Sequence, residues 1–286
     1  MTAATADLVG RNILITGANT GIGRTAALAL AKRGARLLLA GRSAERTAPV
    51  VDEIARLGGP AASFVALDLA DLSSVQACVS TVVARGEPLH VLINNAGQGG
   101  ANGLTRDGFE MTIGTNHLGP FVLTLGLLDL LRASAPSRVV MVASRAHKRI
   151  SRLDFSGWTR ARGAGFGIRE YAASKLANVL FARALAKRLA GTGVTTYAVH
   201  PGVVASEIWR RVPGPLRALM KLTMISNEEG ALTTVHCATA PEAAAESGLY
   251  YSDCRPTAPS RLAQDDDLAE RMWAESLKLV GADRLK

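Results

Sequence analysis

Short, continuous runs of apolar residues alternate along the chain with longer segments in which apolar and polar residues follow a helical period. A continuous apolar run predicts a strand buried on both faces, as in a parallel sheet. Repeated strand, helix, strand units predict an α/β fold. The predicted strands are Asn12–Thr16, Arg36–Ala40, Ser63–Leu67, Val91–Ile93, Arg138–Ala143, Thr195–Val199 and Leu249–Tyr251.

The amphipathic segments between these runs predict helices, and Gly34, Gly58 and Gly191 stand where a left-handed residue commonly ends a helix. No internal repeat or low-complexity linker interrupts the alternation. We therefore predict a single domain over residues 1–286, a Rossmann-like, doubly wound parallel seven-stranded sheet with helices on both faces. The predicted helices are Ile22–Arg33, Ala44–Leu57, Leu72–Arg85, Arg106–Ala133, Tyr171–Leu189, Asn227–Ala238 and Asp267–Leu279.

A glycine-rich turn follows the first predicted strand. Gly17, Gly21 and Gly23 allow backbone N–H groups and the positive end of the next helix to approach the pyrophosphate of a dinucleotide. The alternative is a plain turn between a strand and a helix. The residues between these glycines that we predict to contact the cofactor are Asn19, Thr20 and Ile22.

The end of the second predicted strand bears on the choice of cofactor. A carboxylate about twenty residues after the glycines would accept a hydrogen bond from the 2′-hydroxyl of NAD. Here Leu39–Ser43 contains no carboxylate, and the guanidinium of Arg42 is suited to a phosphate. We predict NADP(H) in preference to NAD(H), the alternative being that Arg42 is an ordinary surface residue. Asp68 is predicted to face the adenine, with Leu69 as a neighbouring contact.

Five further signals follow the glycine turn in order: Asn94-Asn95-Ala96-Gly97, Asn116, Ser144, the pair Tyr171 and Lys175, and Pro201-Gly202. With these motifs the chain resembles the short-chain dehydrogenase/reductase family over nearly its whole length. The resemblance implies a cofactor-binding half at about residues 10–143 and a catalytic and substrate half at about 144–286. It implies a catalytic tetrad of Asn116, Ser144, Tyr171 and Lys175. The later cofactor contacts that it implies are Asn95, Ala96, Gly97, Tyr171, Lys175, Pro201, Gly202 and Val204.

Several blocks resemble the branch of that family that contains the retinol dehydrogenases. They include Gly17–Gly23, Asn116–Gly119, Tyr171–Asn178 and His200–Val204, and the wide separation of 27 positions between Ser144 and Tyr171 fits the same branch. This resemblance implies an oxidoreductase that interconverts a carbonyl and an alcohol on a lipophilic small molecule.

The tetrad has a chemical rationale of its own. A phenol with a pKa near 10 is a poor base at neutral pH. Lys175, at i+4 from Tyr171, is expected to lower the phenol pKa with its ammonium, and the resemblance implies that it also holds the nicotinamide ribose. Ser144 is predicted to polarise the substrate oxygen and Asn116 to position a relay water. The alternatives are a capping hydroxyl and a buried amide.

The substrate side leaves more alternatives open. Residues 203–226 mix large apolar with basic residues and are predicted to form a lid that excludes water, or else to pack on the domain without touching substrate. The basic residues from Arg145 to Arg169 leave open an anionic or carrier-tethered acyl substrate. A non-catalytic NADP-binding sensor or scaffold is the third possibility.

Composition narrows the remaining classes. The formal charge is +9, but the basic residues are spread along the chain, which argues against nucleic acid as a partner. The sequence shows no apolar run of membrane-spanning length and no signal peptide, so we expect a cytoplasmic protein. Cys78, Cys237 and Cys254 are expected to be buried thiols, and no metal-ligand spacing occurs. The family resemblance implies a homodimer or homotetramer.

Overall fold

A computed structural model describes residues 6–161, 163, 165–203 and 225–281 of the chain. The strands form one sheet in the order β3-β2-β1-β4-β5-β6-β7-β8, parallel throughout except for the last pair. The strands are β1 Asn12–Thr16, β2 Arg36–Gly41, β3 Ser63–Ala66, β4 Val91–Asn94, β5 Ser137–Val142, β6 Val194–His200, β7 Leu249–Ser252 and β8 Arg255–Pro256.

The seven predicted strands are confirmed, and the sheet has one more. Strand β8 is two residues long, contains Pro256 and pairs antiparallel with β7. Asp253 and Cys254, both with positive φ, make the turn between the two strands. An edge strand this short leaves no apolar run, so the sequence pattern missed it.

Helices lie between the strands, and six of the seven predicted helices are confirmed within about three residues. Gly34, Gly58 and Gly191 all have the positive φ expected after a helix end. The α-helices among the described residues are α1 Gly21–Lys32, α2 Ala44–Arg56, α3 Leu72–Val83, α4 Met111–Ile113, α5 Gly119–Gly126, α6 Leu128–Ala133, α7 Ile168–Arg188, α8 Asn227–Thr239 and α9 Asp266–Val280.

The prediction of one helix over Arg106–Ala133 is wrong. Residues before Met111 are not helical, because Gly108 has φ +85° and the carboxylate of Glu110 caps the backbone N–H groups of Thr112 and Ile113. A π-helical turn, Gly114–Leu118, then separates α4 from α5. Such π turns are frequently found at functional sites, and this one carries Asn116.

Two apolar clusters cover the two faces of the sheet. Successive residues of β1 point to opposite faces, so that Leu14 joins one cluster while Ile13 and Ile15 join the other. All three are fully buried, which confirms that the continuous apolar runs form a parallel sheet covered on both faces.

Helix α9 packs against α7 on one side of the sheet. Trp273 stacks on Phe181 at 5.6 Å, and the guanidinium of Arg188 lies 4.0 Å from the centroid of the Trp273 ring. Asp266 pairs with Arg183 and Lys187 at the start of α9. Apolar residues along α5, α6 and α7 are buried within the chain, with Leu130 partly so: Leu123, Leu127, Leu130, Leu176, Val179 and Leu180.

The cysteines, the lengths of the helices and the possible metal ligands can also be compared with the sequence-based expectations. Cys78 and Cys237 are buried, but Cys254 is only half-buried because it lies in the β7–β8 turn. Among the described residues, none of the helices combines the length and the apolar character that spanning a membrane requires. Within that same part of the chain, no three His, Cys, Asp or Glu side chains are grouped in a way that could hold a metal ion.

Candidate active site

A cleft opens at the carboxyl ends of the strands, around the point where the order changes from β1 to β4. Ligands of open α/β sheets bind at such a switch point. The cavity there has a volume of about 290 Å³. The predicted cofactor residues that line it are Gly17, Asn19, Thr20, Gly21, Ile22, Gly23, Arg42, Asp68, Leu69, Asn95, Ala96 and Gly97. Additional lining residues are Thr16, Ala40, Gly41, Arg46, Leu67, Ala70, Gln98, Gly99, Met111 and Thr115.

Two glycines of the turn, Gly17 and Gly23, are packed too closely to hold a side chain. Gly17 has φ +68°, and a Cβ on Gly23 would lie 2.4 Å from the carbonyl oxygen of Gly17. The amide of Asn95 donates to the carbonyl oxygens of Thr16 and Gly17, at 2.9 and 3.3 Å. This turn, opening into a cavity at the N-terminus of α1, has the shape and the exposed helix end that a dinucleotide pyrophosphate requires. The residues present therefore fit a dinucleotide.

Two guanidinium groups border the cavity near Asp68. Arg42 follows β2 and Arg46 lies in the first turn of α2, where its N–H donates to the hydroxyl of Ser43. Both arginines are exposed, and within the described residues neither forms an ion pair. The sequence reasoning missed Arg46. Its position three residues after the helix-capping Ser43 is the signal that would have placed it on the same side as Arg42.

Tyr171, Lys175 and Ser144 come together beside the glycines of the loop after β4. Tyr171 and Lys175 lie on α7, and the Nζ of Lys175 is 5.6 Å from the centroid of the Tyr171 ring. A Cβ on Gly97 would lie 3.4 Å from that Nζ, and one on Gly99 would lie 3.5 Å from Cδ2 of Tyr171. Both glycines line the cavity. The predicted pair therefore borders the cofactor cleft.

The Lys175 side chain is held inside the protein by a main-chain oxygen. It is only 2% exposed, and its Nζ donates a 2.7 Å hydrogen bond to the carbonyl of Val142, at the end of β5. Asn178, one turn further along α7, donates to the same carbonyl at 3.3 Å. Burial lowers the pKa of Lys175 to about 8, so that the amine is still mostly protonated at neutral pH.

Two opposing effects act on the pKa of Tyr171. Burial raises the pKa of the phenol, and the hydrogen bond with the Ser144 hydroxyl opposes this by lowering it. The ammonium of Lys175 donates to the carbonyl of Val142 and lies 5.6 Å from the centroid of the Tyr171 ring. That Lys175 lowers the phenol pKa stays a prediction.

Asn116 connects three segments around the same site. Its Nδ2 donates to the carbonyl of Gln98 at 2.8 Å and to the hydroxyl of Ser174 at 3.0 Å, and its Oδ1 accepts from the N–H of Gln98. Ser174 in turn donates to the carbonyl of Tyr171. The side chain is thus a buried amide that satisfies backbone groups, which is the sequence-based alternative to positioning a relay water. A role in positioning a water stays a prediction.

Pro201 and Gly202 follow β6 but do not line the 290 Å³ cavity. Gly202 has φ +86°, and a Cβ there would lie 2.3 Å from the side chain of Ile225. The N–H of Ile225 donates to the carbonyl of Val203, which closes the two described ends of this segment against each other. Val204 and all but the ends of the predicted lid over 203–226 lie outside the described residues.

The basic segment between Arg145 and Arg169 borders a different cavity. Arg152, Arg160 and Arg169 line a space of about 150 Å³. This second cavity shares no lining residue with the cofactor cleft. Its lining also includes Asp154, Glu170 and the buried Glu110, so it is not uniformly basic. The described residues of the segment therefore do not line the cofactor cleft.

Known proteins are similar in sequence to this chain over nearly its whole length. Dehydrogenase/reductase SDR family member 13 of Bos taurus is 46% identical in an alignment of 289 positions that covers 96% of this chain and 74% of that protein. Retinol dehydrogenase 12 of Homo sapiens is 45% identical over 279 residues, which cover 96% of this chain and 87% of that protein.

A solved structure shows the same fold with a nucleotide. It is a protein of Beutenbergia cavernae assigned as an NAD(P)-dependent gluconate 5-dehydrogenase, with NADP bound at low occupancy. It superposes with a TM-score of 0.71 at 29% identity, covering 87% of this chain and 96% of that one. The family model described as short chain dehydrogenase matches residues 11–214. The chain belongs to the short-chain dehydrogenase/reductase family, in its retinol dehydrogenase-like branch.

Proposed function

We propose that this protein is an NADP(H)-dependent oxidoreductase that interconverts a carbonyl and an alcohol on a lipophilic small molecule. The observation that carries the proposal is the grouping of Ser144, Tyr171 and Lys175 beside a cavity floored by glycines. The family and its retinol dehydrogenase relatives support oxidoreductase chemistry on CH–OH and C=O groups. The alternative of a sensor without catalysis is less favoured, because the catalytic side chains are present and close together.

The side chains have separate tasks in this proposal. Tyr171 donates a proton to the substrate oxygen in reduction and removes it in oxidation, while the Ser144 hydroxyl donates a hydrogen bond to the same oxygen. Lys175, anchored by the carbonyl of Val142, brings a positive charge to the phenol ring and is placed to hold the ribose. Asn116 fixes the loop after β4 against α7. The bound nicotinamide supplies or accepts the hydride.

Replacing Tyr171 tests the acid/base role. Tyr171→Phe removes only the hydroxyl, so we expect kcat to fall by about 10²- to 10⁴-fold, the usual contribution of a positioned acid or base. The affinity for NADPH, measured by fluorescence titration, should change little, because the ring and the glycine turn remain. Steady-state rates with NADPH and a panel of ketones and aldehydes provide the measurement. Full activity of Tyr171→Phe would contradict the proposed acid/base role of Tyr171.

The preference for NADP(H) is tested at the two arginines beside the cavity. Arg42→Ala should weaken NADPH binding by roughly tenfold or more, since a charged hydrogen bond contributes about 1.5–3 kcal/mol, and should leave NADH binding nearly unchanged. Arg46→Ala should act in the same direction. Arg56→Ala, which removes an equal charge at the other end of α2, is the matched control. Equal losses for both cofactors would contradict the preference.

The substrate class is tested with the same purified protein. We expect catalytic efficiency to rise with the apolar size of the carbonyl compound, as the retinol dehydrogenase relatives suggest. An anionic or carrier-tethered acyl substrate would instead show a Michaelis constant that depends strongly on salt. The cytoplasmic location stays a prediction.

A further inference from the structure

His147 lies directly behind Ser144, in the 3₁₀ turn Arg145–Arg149 that follows β5. Its ring is completely buried. The ring atom Nδ1 is 2.6 Å from the carbonyl oxygen of Ser144, and Nε2 accepts a 3.0 Å hydrogen bond from the backbone N–H of Ser260. The ring therefore bridges the residue before this turn and the loop that follows β8.

These two contacts determine where the proton is. A carbonyl oxygen can only accept, so Nδ1 must carry the hydrogen, and a backbone N–H can only donate, so Nε2 must offer its lone pair. The ring is thus neutral and protonated on Nδ1. A second proton would face the N–H of Ser260, and burial together with the neighbouring Lys148 lowers the pKa of His147.

The hydrogen bond from His147 holds the backbone carbonyl of Ser144, and the hydroxyl of Ser144 lies on the opposite side, towards Tyr171. The Ser144 carbonyl also accepts from the N–H of His147 at 3.1 Å, and the Ser144 hydroxyl accepts from the N–H of Ala146 at 3.1 Å. That hydroxyl faces the Tyr171 phenol, whose pKa it lowers. The ring of Tyr250, edge-on at 4.9 Å, holds the imidazole in place.

We propose that His147 is a positioning residue that sets the Ser144 hydroxyl opposite the Tyr171 phenol, by holding the Ser144 carbonyl through a neutral imidazole protonated on Nδ1. The inference rests on the proposed function for its effect on turnover. It does not depend on that function for the state of the ring.

Two replacements separate positioning from simple packing. His147→Leu keeps an apolar side chain of moderate size but loses both hydrogen bonds, so we expect kcat to fall by about 10- to 100-fold, the cost of a misplaced catalytic group, with the KM for NADPH unchanged. His147→Gln offers an amide N–H and an amide oxygen and should recover most of kcat. Two variants with wild-type kcat, or two equally impaired variants, would overturn the proposal.

The ring state is measured without any assay of activity. Nitrogen-15 NMR of the labelled protein distinguishes a protonated Nδ1 from a protonated Nε2, and His147→Gln identifies the signal by removing it. We expect a neutral ring with hydrogen on Nδ1 at pH 7. A ring protonated on Nε2, or a cation, would overturn the inference even if the enzyme is active. If Tyr171→Phe keeps full activity while the tautomer is found as expected, the proposed function fails and the structural bridge stands.

Discussion

At the scale of single residues, the absence of a side chain at position 23 is a tight constraint on the site. A Cβ there would meet the carbonyl oxygen of Gly17 and the amide of Asn95, each at 2.4 Å. The amide is also the group that joins the turn to the end of β1. Position 23 therefore determines both the packing of the turn and the space left for a cofactor.

Gly23→Ala is expected to displace the turn. We expect a loss of about 1–3 kcal/mol in the free energy of unfolding, the usual cost of overpacking, together with weaker NADPH binding. Chemical denaturation and fluorescence titration measure the two effects. Gly157→Ala is the control, because a Cβ at position 157 meets no atom within 4 Å. Unchanged NADPH affinity in Gly23→Ala would show that the turn tolerates the methyl group.

The sequence predicted the identity of the site residues better than their electrostatics. The order of the motifs placed Ser144, Tyr171 and Lys175 together, and the structure brings them together. The pKa of Tyr171 could not be predicted from spacing, because it depends on burial and on where the ammonium of Lys175 finds an acceptor. The acceptor is the main-chain oxygen of Val142. Every residue has such an oxygen, so the sequence does not show which one accepts the hydrogen bond.

At the scale of elements, strands were easier to predict than the helix that carries Asn116. A continuous apolar run directly indicates a strand that is buried on both faces. A π turn, in contrast, contains the same kinds of residue as the α-helices beside it, so the sequence pattern does not show where the α-helix is interrupted. The interruption at Gly114–Leu118 coincides with close contacts. A Cβ on Gly114 would lie 2.3 Å from the side chain of Thr105, and one on Gly119 would lie 2.5 Å from the carbonyl of Leu69. These contacts come from distant segments, so local sequence could not show them.

Helix α9 offers a test of how one element supports the catalytic helix. Trp273→Ala removes a side chain that is 8% exposed and stacked on Phe181 of α7, so we expect a loss of about 3–5 kcal/mol in the free energy of unfolding. Lys278→Ala, on the exposed side of α9, should change it by about 0.5 kcal/mol or less. Similar effects of the two substitutions would show that α9 contributes little to the stability of the fold.

At the scale of the whole molecule, the outer surface of α7 is covered by the chain itself. Apolar residues of α5 and α7, such as Leu123 and Leu176, are fully buried in one chain, so they are not available to the homodimer or homotetramer that the family resemblance implies. Helix α9 covers part of α7 through Trp273. An oligomer would therefore need another surface or a displaced α9.

Light scattering of the purified protein tests this directly. We expect a mass of two or four times 29.9 kDa, as the family resemblance implies, with an interface other than the apolar faces of α5 and α7. A mass near 29.9 kDa would contradict the homo-oligomer expectation.

The hydrogen bond from the N–H of Ile225 to the carbonyl of Val203 has a consequence for evolution. Two main-chain atoms joined in this way keep the end of β6 and the start of α8 at a fixed separation, whatever side chains stand at positions 203 and 225. Homologous enzymes could therefore vary both side chains and keep the same separation. Val203→Ala should accordingly leave the melting temperature of the protein nearly unchanged.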